Sequence, residues 1–211
     1  MKVYDLTLPF SEDTLVFPGT PPMRYEHTHT IEKDKYNLGL VTVNTHAGTH
    51  TDAPLHFVEN GDDLAKVDVE KYVGQAVVVD CKHRGANQPI DVEDVLAYEA
   101  QIKKHKRVLL MTTWSKYYNE EKFFTDYPYV TLALAEWLVK QGVVLLGVEA
   151  PTLNAKQYIE VHQTLLSNGV AVVEGLTNLD ALPTDEVFFS GAPIPLKAGD
   201  GFPLRAVGIV F

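Results

Sequence analysis

Apolar residues fall along this chain in short continuous runs. Ala76-Val77-Val78-Val79 ahead of Asp80, Val108-Leu109-Leu110-Met111, Val143 to Val148 and Val170 to Val173 all lack the alternation of a strand with one wet face. Each is short and β-branched or leucine-rich, so these runs predict strands buried on both faces. Met1 to Leu8, Leu38 to Val43 and Leu204 to Phe211 add strand-prone segments. Helical spacing appears between them. Asp91, with Asp94 three residues on, predicts a capped helix over Val92 to Lys103. Thr131 caps a second, in which Leu134, Trp137, Leu138 and Gln141 share a face and Gly142 ends the run. A short helix starting near His162 and stopped by Asn168-Gly169 precedes the last buried run, which ends at Glu174.

Strands alternating with helices predict an α/β domain with a mixed sheet. Pro9 and Pro18-Gly19-Thr20-Pro21-Pro22 impose a long non-helical loop, and the strand-rich C-terminus departs from a doubly wound sheet. The 211 residues suit one domain, and no linker or solenoid-length repeat divides them. Gly-x-Gly-x-x-Gly, Walker-type and Gly-x-Ser-x-Gly signatures are absent, so neither a nucleotide cofactor nor a serine nucleophile has support.

Charge narrows the partners. A net charge of −10 without a basic block disfavours nucleic acid and anionic lipid. No stretch reaches membrane-helix length and no leader is evident, which predicts a cytoplasmic protein with a small-molecule substrate. The single cysteine, Cys81, follows a buried run and reads as a structural thiol.

Histidine changes the picture more. Residues 44–57 read Asn-Thr-His-Ala-Gly-Thr-His-Thr-Asp-Ala-Pro-Leu-His-Phe, gathering His46, His50, Asp52 and His56 in one segment. Gly48, three threonines and Pro54 oppose a helix there. Fully extended, His46 and His50 would stand about 13 Å apart at ~3.3 Å per residue, too far to share one ion, so the backbone must turn, and Gly48 can take the positive φ of a turn. His50 and Asp52, two apart, share one face of a strand. Imidazoles with a carboxylate suit Zn²⁺, and also Mn²⁺ or Fe²⁺, with positions left open for water or substrate. Glu174, ending an apolar strand, needs a cationic partner if buried.

The segment His46-Ala47-Gly48-Thr49-His50-Thr51-Asp52-Ala53-Pro54-Leu55-His56-Phe57 closely resembles the HxGTHxDxPxHF signature of the cyclase-like metal hydrolases, the family of bacterial kynurenine formamidase and isatin hydrolase. The resemblance extends through Phe17-Pro18-Gly19, Thr113 to Tyr117, His162, Glu174 to Leu179 and Asp200 to Ala206. It implies a swivelling β/β/α fold, a homodimer or homotetramer, and hydrolysis of an amide, formamide or lactam, N-formylkynurenine included, at one or two divalent ions. His46, His50 and Asp52 would hold the first ion, Zn²⁺ in preference to Mn²⁺. Asp52 would bridge to a second held by His162 and Glu174. His56 would be the general acid and base, and Phe17 an aromatic wall of the substrate pocket. Glu149 departs from the aspartate common in the family.

Two other readings stay open on the residues. His50, Asp52 and His162 also match the two-histidine, one-carboxylate set of non-haem Fe(II) oxygenases, and a non-catalytic metal-binding module would use the same ligands. His27 and His29 read as a solvated strand face rather than a pocket wall, and the aromatic group Tyr117, Tyr118, Phe123, Phe124, Tyr127 and Tyr129 as a subunit interface in preference to the lining of a substrate pocket.

Overall fold

Strands apolar on both sides take the middle of a sheet, because only there does every alternate side chain find cover. The computed structural model describes residues 1–211. In chain order its strands are β1 (Lys2–Asp5), β2 (Arg24–His29), β3 (Leu38–Thr42), β4 (His50–Asp52), β5 (Val73–Asp80), β6 (Pro89–Ile90), β7 (Arg107–Met111), β8 (Tyr129–Val130), β9 (Leu145–Val148), β10 (Ala171–Glu174), β11 (Glu186–Ser190), β12 (Gly201–Pro203) and β13 (Val207–Val210). Its α-helices are α1 (Ile31–Asp34), α2 (Val92–Val95), α3 (Glu99–His105), α4 (Lys122–Thr125), α5 (Leu132–Lys140) and α6 (Tyr158–Ser167). Nine strands form one sheet in the order β1-β13-β11-β5-β7-β9-β10-β4-β12, parallel from β5 to β10 and antiparallel on both flanks.

The four predicted buried runs are β5, β7, β9 and β10. Val77, Val79, Val108, Leu110, Leu146, Val148 and Val172 face a core roofed by Leu134 and Leu138 of α5 and by Val161 and Leu165 of α6. The alternate residues Ala76, Val78, Leu109, Leu145 and Val173 join Leu6, Val187, Phe189, Leu204 and Ala206 in a second core on the opposite face. Those partners come from the sheet's own flanks and from the segments beside them. The sheet therefore curls around its second core, giving the β/β/α layering of the expected α/β fold. Each fully buried Leu, Val or Phe contributes about 1.5–3 kcal/mol, which makes this two-sided burial the main stabilising term.

Local pattern misjudged several boundaries. Asp91 forms its capping box with Asp94, but the predicted helix Val92 to Lys103 divides into α2, a 3₁₀ turn at Leu96–Tyr98, and α3. Tyr98 accepts a hydrogen bond at Oη from the Asp80 backbone N–H (3.4 Å), a tertiary tie the helical period does not report. The closing strand is Val207–Val210 rather than Leu204 to Phe211, because Gly201–Pro203 pairs separately with β4 and Leu204 donates to the Thr49 carbonyl. Leu38 to Thr42 is a strand, but it pairs with β2 in a hairpin outside the large sheet, largely exposed on both faces, and His27 and His29 lie on that hairpin. His162 sits inside α6, not at its start.

The aromatic group expected at a subunit interface is folded into the chain's own core. Phe123 and Tyr127 are buried, and Tyr117, Tyr118, Phe124 and Tyr129 pack around them. Trp114 Nε1 donates to the Phe123 carbonyl (3.2 Å) and holds α4 against that core. No helix is long and apolar enough to cross a membrane.

Gly175, immediately after β10, has φ +66°, and a Cβ there would lie 2.6 Å from the Gly48 carbonyl oxygen. Gly175→Ala combines left-handed strain with a backbone clash and is expected to cost about 1–3 kcal/mol, read by urea denaturation.

Candidate metal centre

β4 lies between β10 and β12, and its alternation divides its labour. Thr51 turns inward, where its Oγ1 donates to the Val172 carbonyl (2.6 Å) and meets the Tyr72 hydroxyl (3.1 Å). Just before the strand, Thr49 Oγ1 donates to the Gly175 carbonyl (2.5 Å) and accepts from Leu8 N–H (2.8 Å). With the backbone pinned this way, His50 and Asp52 share the other face, as their spacing predicts. Antiparallel register sets Glu174 directly opposite His50. Gly48 makes the turn with φ +64° and brings His46 back so that its Nδ1 is 2.9 Å from Asp52 Oδ1.

Of the six chemistry-bearing residues singled out in the sequence, three histidines, His46, His50 and His162, surround the two carboxylates Asp52 and Glu174. Asp52 Oδ1 faces His46 Nδ1 and His50 Nε2 (3.6 Å), while Oδ2 faces His162 Nε2 (3.6 Å). Glu174 Oε1 is 3.1 Å from His162 Nε2, and Oε2 is 3.4 Å from His50 Nε2. Ligand atoms of His50, Asp52 and Glu174, and separately of His46, Asp52 and His56, lie within 4.8 Å of one another. Asp52 is common to both groups.

The ring nitrogens show what this arrangement is for. His50 Nδ1 donates to the Gly48 carbonyl (2.9 Å) and His162 Nδ1 to the Tyr158 carbonyl (2.5 Å). Each imidazole is thereby oriented with Nε2 toward two buried carboxylates, the usual posture of a metal-ligating histidine. In neutral rings those Nε2 atoms carry lone pairs facing carboxylate oxygens, which repel unless a cation stands between them. The mixed imidazole and carboxylate donor set fits a divalent ion.

Without an ion, protons do that work. Burial pushes His46 down, but Asp52 and Asp200 outweigh it and its pKa is raised to about 8. Burial likewise opposes the charge on His162, which Glu174 and Asp52 nevertheless hold above the usual histidine value. Asp52 and Glu174 are favoured as neutral acids by burial, yet the surrounding histidines keep both below the ordinary carboxylate range.

These groups floor a cavity of about 450 Å³. His56 enters from the 3₁₀ turn Pro54–His56 and stacks on His46, with ring centroids 3.8 Å apart and an interplanar angle of 22°. Phe57 stacks on His162 (4.4 Å), and Phe17 also lines the cavity, edge-on to Phe124 (5.9 Å). Asp200 is the important residue that spacing did not single out. Its Oδ2 lies 3.3 Å from His46 Nε2 and 3.6 Å from His56 Nδ1. It stands just ahead of β12, and only the pairing of β12 with β4 reveals it. Tyr127 of the aromatic group, Thr152 and Asn44 also line the cavity.

Other candidates fall outside. Glu149 is buried away from the cavity lining and accepts hydrogen bonds from Thr112 N–H (2.6 Å), Thr113 N–H (2.5 Å) and Ser115 Oγ (3.1 Å), so it anchors the loop after β7. Cys81 is fully buried, and burial pushes its thiol up to about 12, which fits the structural reading. His83 pairs with Asp94 and His105 with Glu186, both remote from the site.

A family model described as "Putative cyclase" matches residues 4–155, well over half of the chain. The chain belongs to the cyclase family. Cyclase-family relatives at full length include the kynurenine formamidase of Erythrobacter litoralis, 30% identical over 209 residues covering 98% of this chain and 93% of the relative. The kynurenine formamidase of Geobacillus thermodenitrificans is 31% identical, covering 96% and 94%. Among solved structures, isatin hydrolase A from Labrenzia aggregata superposes with a TM-score of 0.87 at 25% identity, over 99% of this chain and 93% of that one. A predicted metal-dependent hydrolase from Bacillus stearothermophilus gives 0.81 at 28% identity, over 98% and 97%. The cyclase-family fold thus extends over this whole chain, and the histidine and carboxylate cluster is its candidate metal centre.

The ion-free protein should show the signature of these protons. His46, at about 8 folded against 6.5 unfolded, contributes stability present in full below 6.5 and lost as pH rises through 8. Asp52, depressed in the fold, contributes above its unfolded 3.8, and that stability is lost as pH falls through its lower folded value. In EDTA, stability is therefore expected to be greatest between roughly pH 4 and 6.5, and to fall by about 2 kcal/mol toward pH 9. With a saturating divalent ion the alkaline loss should vanish, because ligation needs neutral imidazole. Thermal denaturation across pH, with and without EDTA, checks both arms.

Proposed function

We propose that this cyclase-family protein hydrolyses the C–N bond of a small amide, formamide or lactam, N-formylkynurenine being the first substrate to try. It is a metal-dependent hydrolase. The observation that carries the reading is Asp52, buried with one oxygen toward His46 and His50 and the other toward His162, beside a second buried carboxylate, Glu174. In this reading His46, His50 and Asp52 hold one ion, and Asp52, His162 and Glu174 hold a second. Zn²⁺ suits the nitrogen-rich donor set best, with Mn²⁺ next. A bound divalent ion supplies Lewis acidity, making water nucleophilic near neutral pH and polarising the carbonyl.

The chain's own groups do the rest. Burial holds His56 below the usual histidine value. It is therefore neutral near pH 7 and free to accept the proton of the attacking water and return it to the leaving nitrogen. The Asp200 carboxylate beside Nδ1 fixes the ring's orientation. Phe17 and Phe57 give the cavity flat apolar walls suited to an aromatic acyl or aryl group. Both named relatives are kynurenine formamidases, and one structural neighbour is an isatin hydrolase, which supports a hydrolase of C–N bonds. The oxygenase reading is weaker, since Glu174 and His46 crowd the positions that a two-histidine, one-carboxylate iron site leaves open.

We also infer a cytoplasmic homodimer or homotetramer. The β2–β3 hairpin supports association, because Tyr25, Leu38, Leu40 and Val41 are exposed on it. Light scattering of the intact chain, compared with a chain lacking residues 24–42, tests this, with a monomeric wild type as the contrary result.

Elemental analysis should find one to two divalent ions per chain, and a panel of formamides, lactams and anilides should reveal hydrolysis. His56→Ala is expected to lower kcat by about 10²–10⁴-fold while keeping its metal. Glu174→Gln should instead lose metal. Absence of bound or restorable metal, or no cleavage anywhere in the panel, contradicts the reading.

A further inference from the structure

A hollow of about 470 Å³, open to solvent, adjoins the cavity described above. His56, Phe57 and Tyr158 line both, so the two volumes meet at the histidine assigned to proton transfer. The rest of the hollow is largely apolar, with Leu55, Val58 and Ile159 joining Phe57 and Tyr158. Tyr158 and Ile159 open α6 and are 48% and 45% exposed, whereas Val161, Leu165 and Leu166 further along that helix are buried. One exposed apolar side chain is ordinary on a protein surface, but several grouped around a hollow that leads from a site mark a place where a ligand is covered.

The two walls of this groove are tied together. One is the turn after β4, closed by Val58 N–H on the Pro54 carbonyl (2.8 Å), Gly61 N–H on the Val58 carbonyl (2.8 Å) and Leu55 N–H on the Asp62 carbonyl (3.1 Å). The other is the first turn of α6, and from that helix Gln163 Nε2 donates to the Phe57 carbonyl (3.0 Å). Phe57 packs edge-on to His56 (4.3 Å) and to Tyr158 (5.7 Å) and stacks on His162. The groove is thus preformed, and a ligand entering it has no backbone to reorder. Charge limits what that ligand can be. Glu59 is the one carboxylate of the groove, and neither lysine nor arginine lines it or the cavity.

We propose that this groove is the subsite for the leaving amine, taking an uncharged, alkylated aryl group on the nitrogen of the bond that is cleaved. The assignment rests on the amidohydrolase reading above and names the half of the substrate that it leaves open. Water adds to the acyl carbon, the C–N bond breaks, and the nitrogen departs with the proton that His56 returns to it, giving a carboxylic acid and a free arylamine. To receive that proton the nitrogen must stand beside His56, and the groove begins at His56, so the group it carries has this apolar channel in front of it. A charged tail would lose water against Leu55, Val58 and Ile159, and an anionic one would also meet Glu59 with no cation to offset it.

The test assays the metal-loaded enzyme on formanilides of increasing para-alkyl length. Full burial of a methylene is worth about 4-fold, and a groove open on one side captures roughly half of that free energy, so kcat/KM should rise about 2-fold per carbon and reach about 10- to 20-fold for p-butylformanilide over formanilide. The anionic p-formamidophenylbutanoate, of similar length, should gain nothing over formanilide. In Ile159→Glu the butyl advantage should fall below about 3-fold. Glutamate suits the first turn of a helix, so Tm and metal content should be kept. Ile159→Ala, which shortens the wall without adding charge, should lower the advantage in the same direction. A flat alkyl series in the wild type, or an advantage that survives both substitutions, overturns the proposal. So does a dimer that becomes monomeric in Ile159→Glu by light scattering, because the groove then covers a second copy. If no formamide is cleaved, the functional reading fails, and calorimetric titration of aniline and p-butylaniline still decides the groove. Tighter p-butylaniline binding in the wild type, lost in Ile159→Glu, supports it, and equal affinity for the two amines contradicts it.

Discussion

Two carboxylates buried within reach of one another are the constraint on which this structure turns. Asp52 and Glu174 are 2% and 3% exposed and occupy neighbouring antiparallel strands, where each raises the cost of ionising the other. Unpaired buried charge is among the most destabilising features a protein can carry. Every neighbouring element answers that cost. His46, His50 and His162 arrive from a turn, a strand and a helix to face the two acids, and backbone carbonyls orient two of the three rings. The cluster is therefore satisfied in only two ways, by protons on imidazole or by a divalent ion.

That constraint also explains why the site sits where it does. β4 is too short to have a core of its own, and it is held between β10 and β12 at the end of the parallel array. Thr51 on it and Thr49 just before it bond inward to the body of the sheet, while its ionisable residues face the cavity. Gly48 and Gly175 meet at the point of closest approach, where a side chain on Gly175 would strike the Gly48 carbonyl. The two-sided core of β5, β7, β9 and β10 supplies the rigidity, and the strained, charged segment is attached to its edge. Stability and function are divided in space: apolar burial holds the frame, and the frame keeps a locally unfavourable charge cluster in position.

The cavity shows the same division at smaller scale. Aromatic rings form its walls and contribute to the core, whereas polar atoms that the fold itself does not need point into the open volume. His56 is of this kind, stacked on His46 at the cavity. Asp200 links it to the rest of the fold by tying His46 and His56 to the strand that closes the sheet.

Much of this was already determined by the chain as a string. Four apolar runs became the four parallel strands, because a run without alternation can be buried only from both sides. His50 and Asp52 share a face because strand geometry alternates, and a turn at Gly48 follows from the reach that two histidines need. Tertiary structure decided the rest. Asp200 and Tyr127 are far from the histidine segment along the chain and join it only through strand pairing and helix docking. The curl of the sheet, the separate hairpin and the division of the helix after Asp91 depend on long-range contacts. The inward turn of the aromatic group around Phe123 does too, since local periodicity records which faces must be covered but not by what. Asp52 and Glu174 show the boundary between the two: each residue's chemistry is written locally, but that they meet is a property of antiparallel register alone.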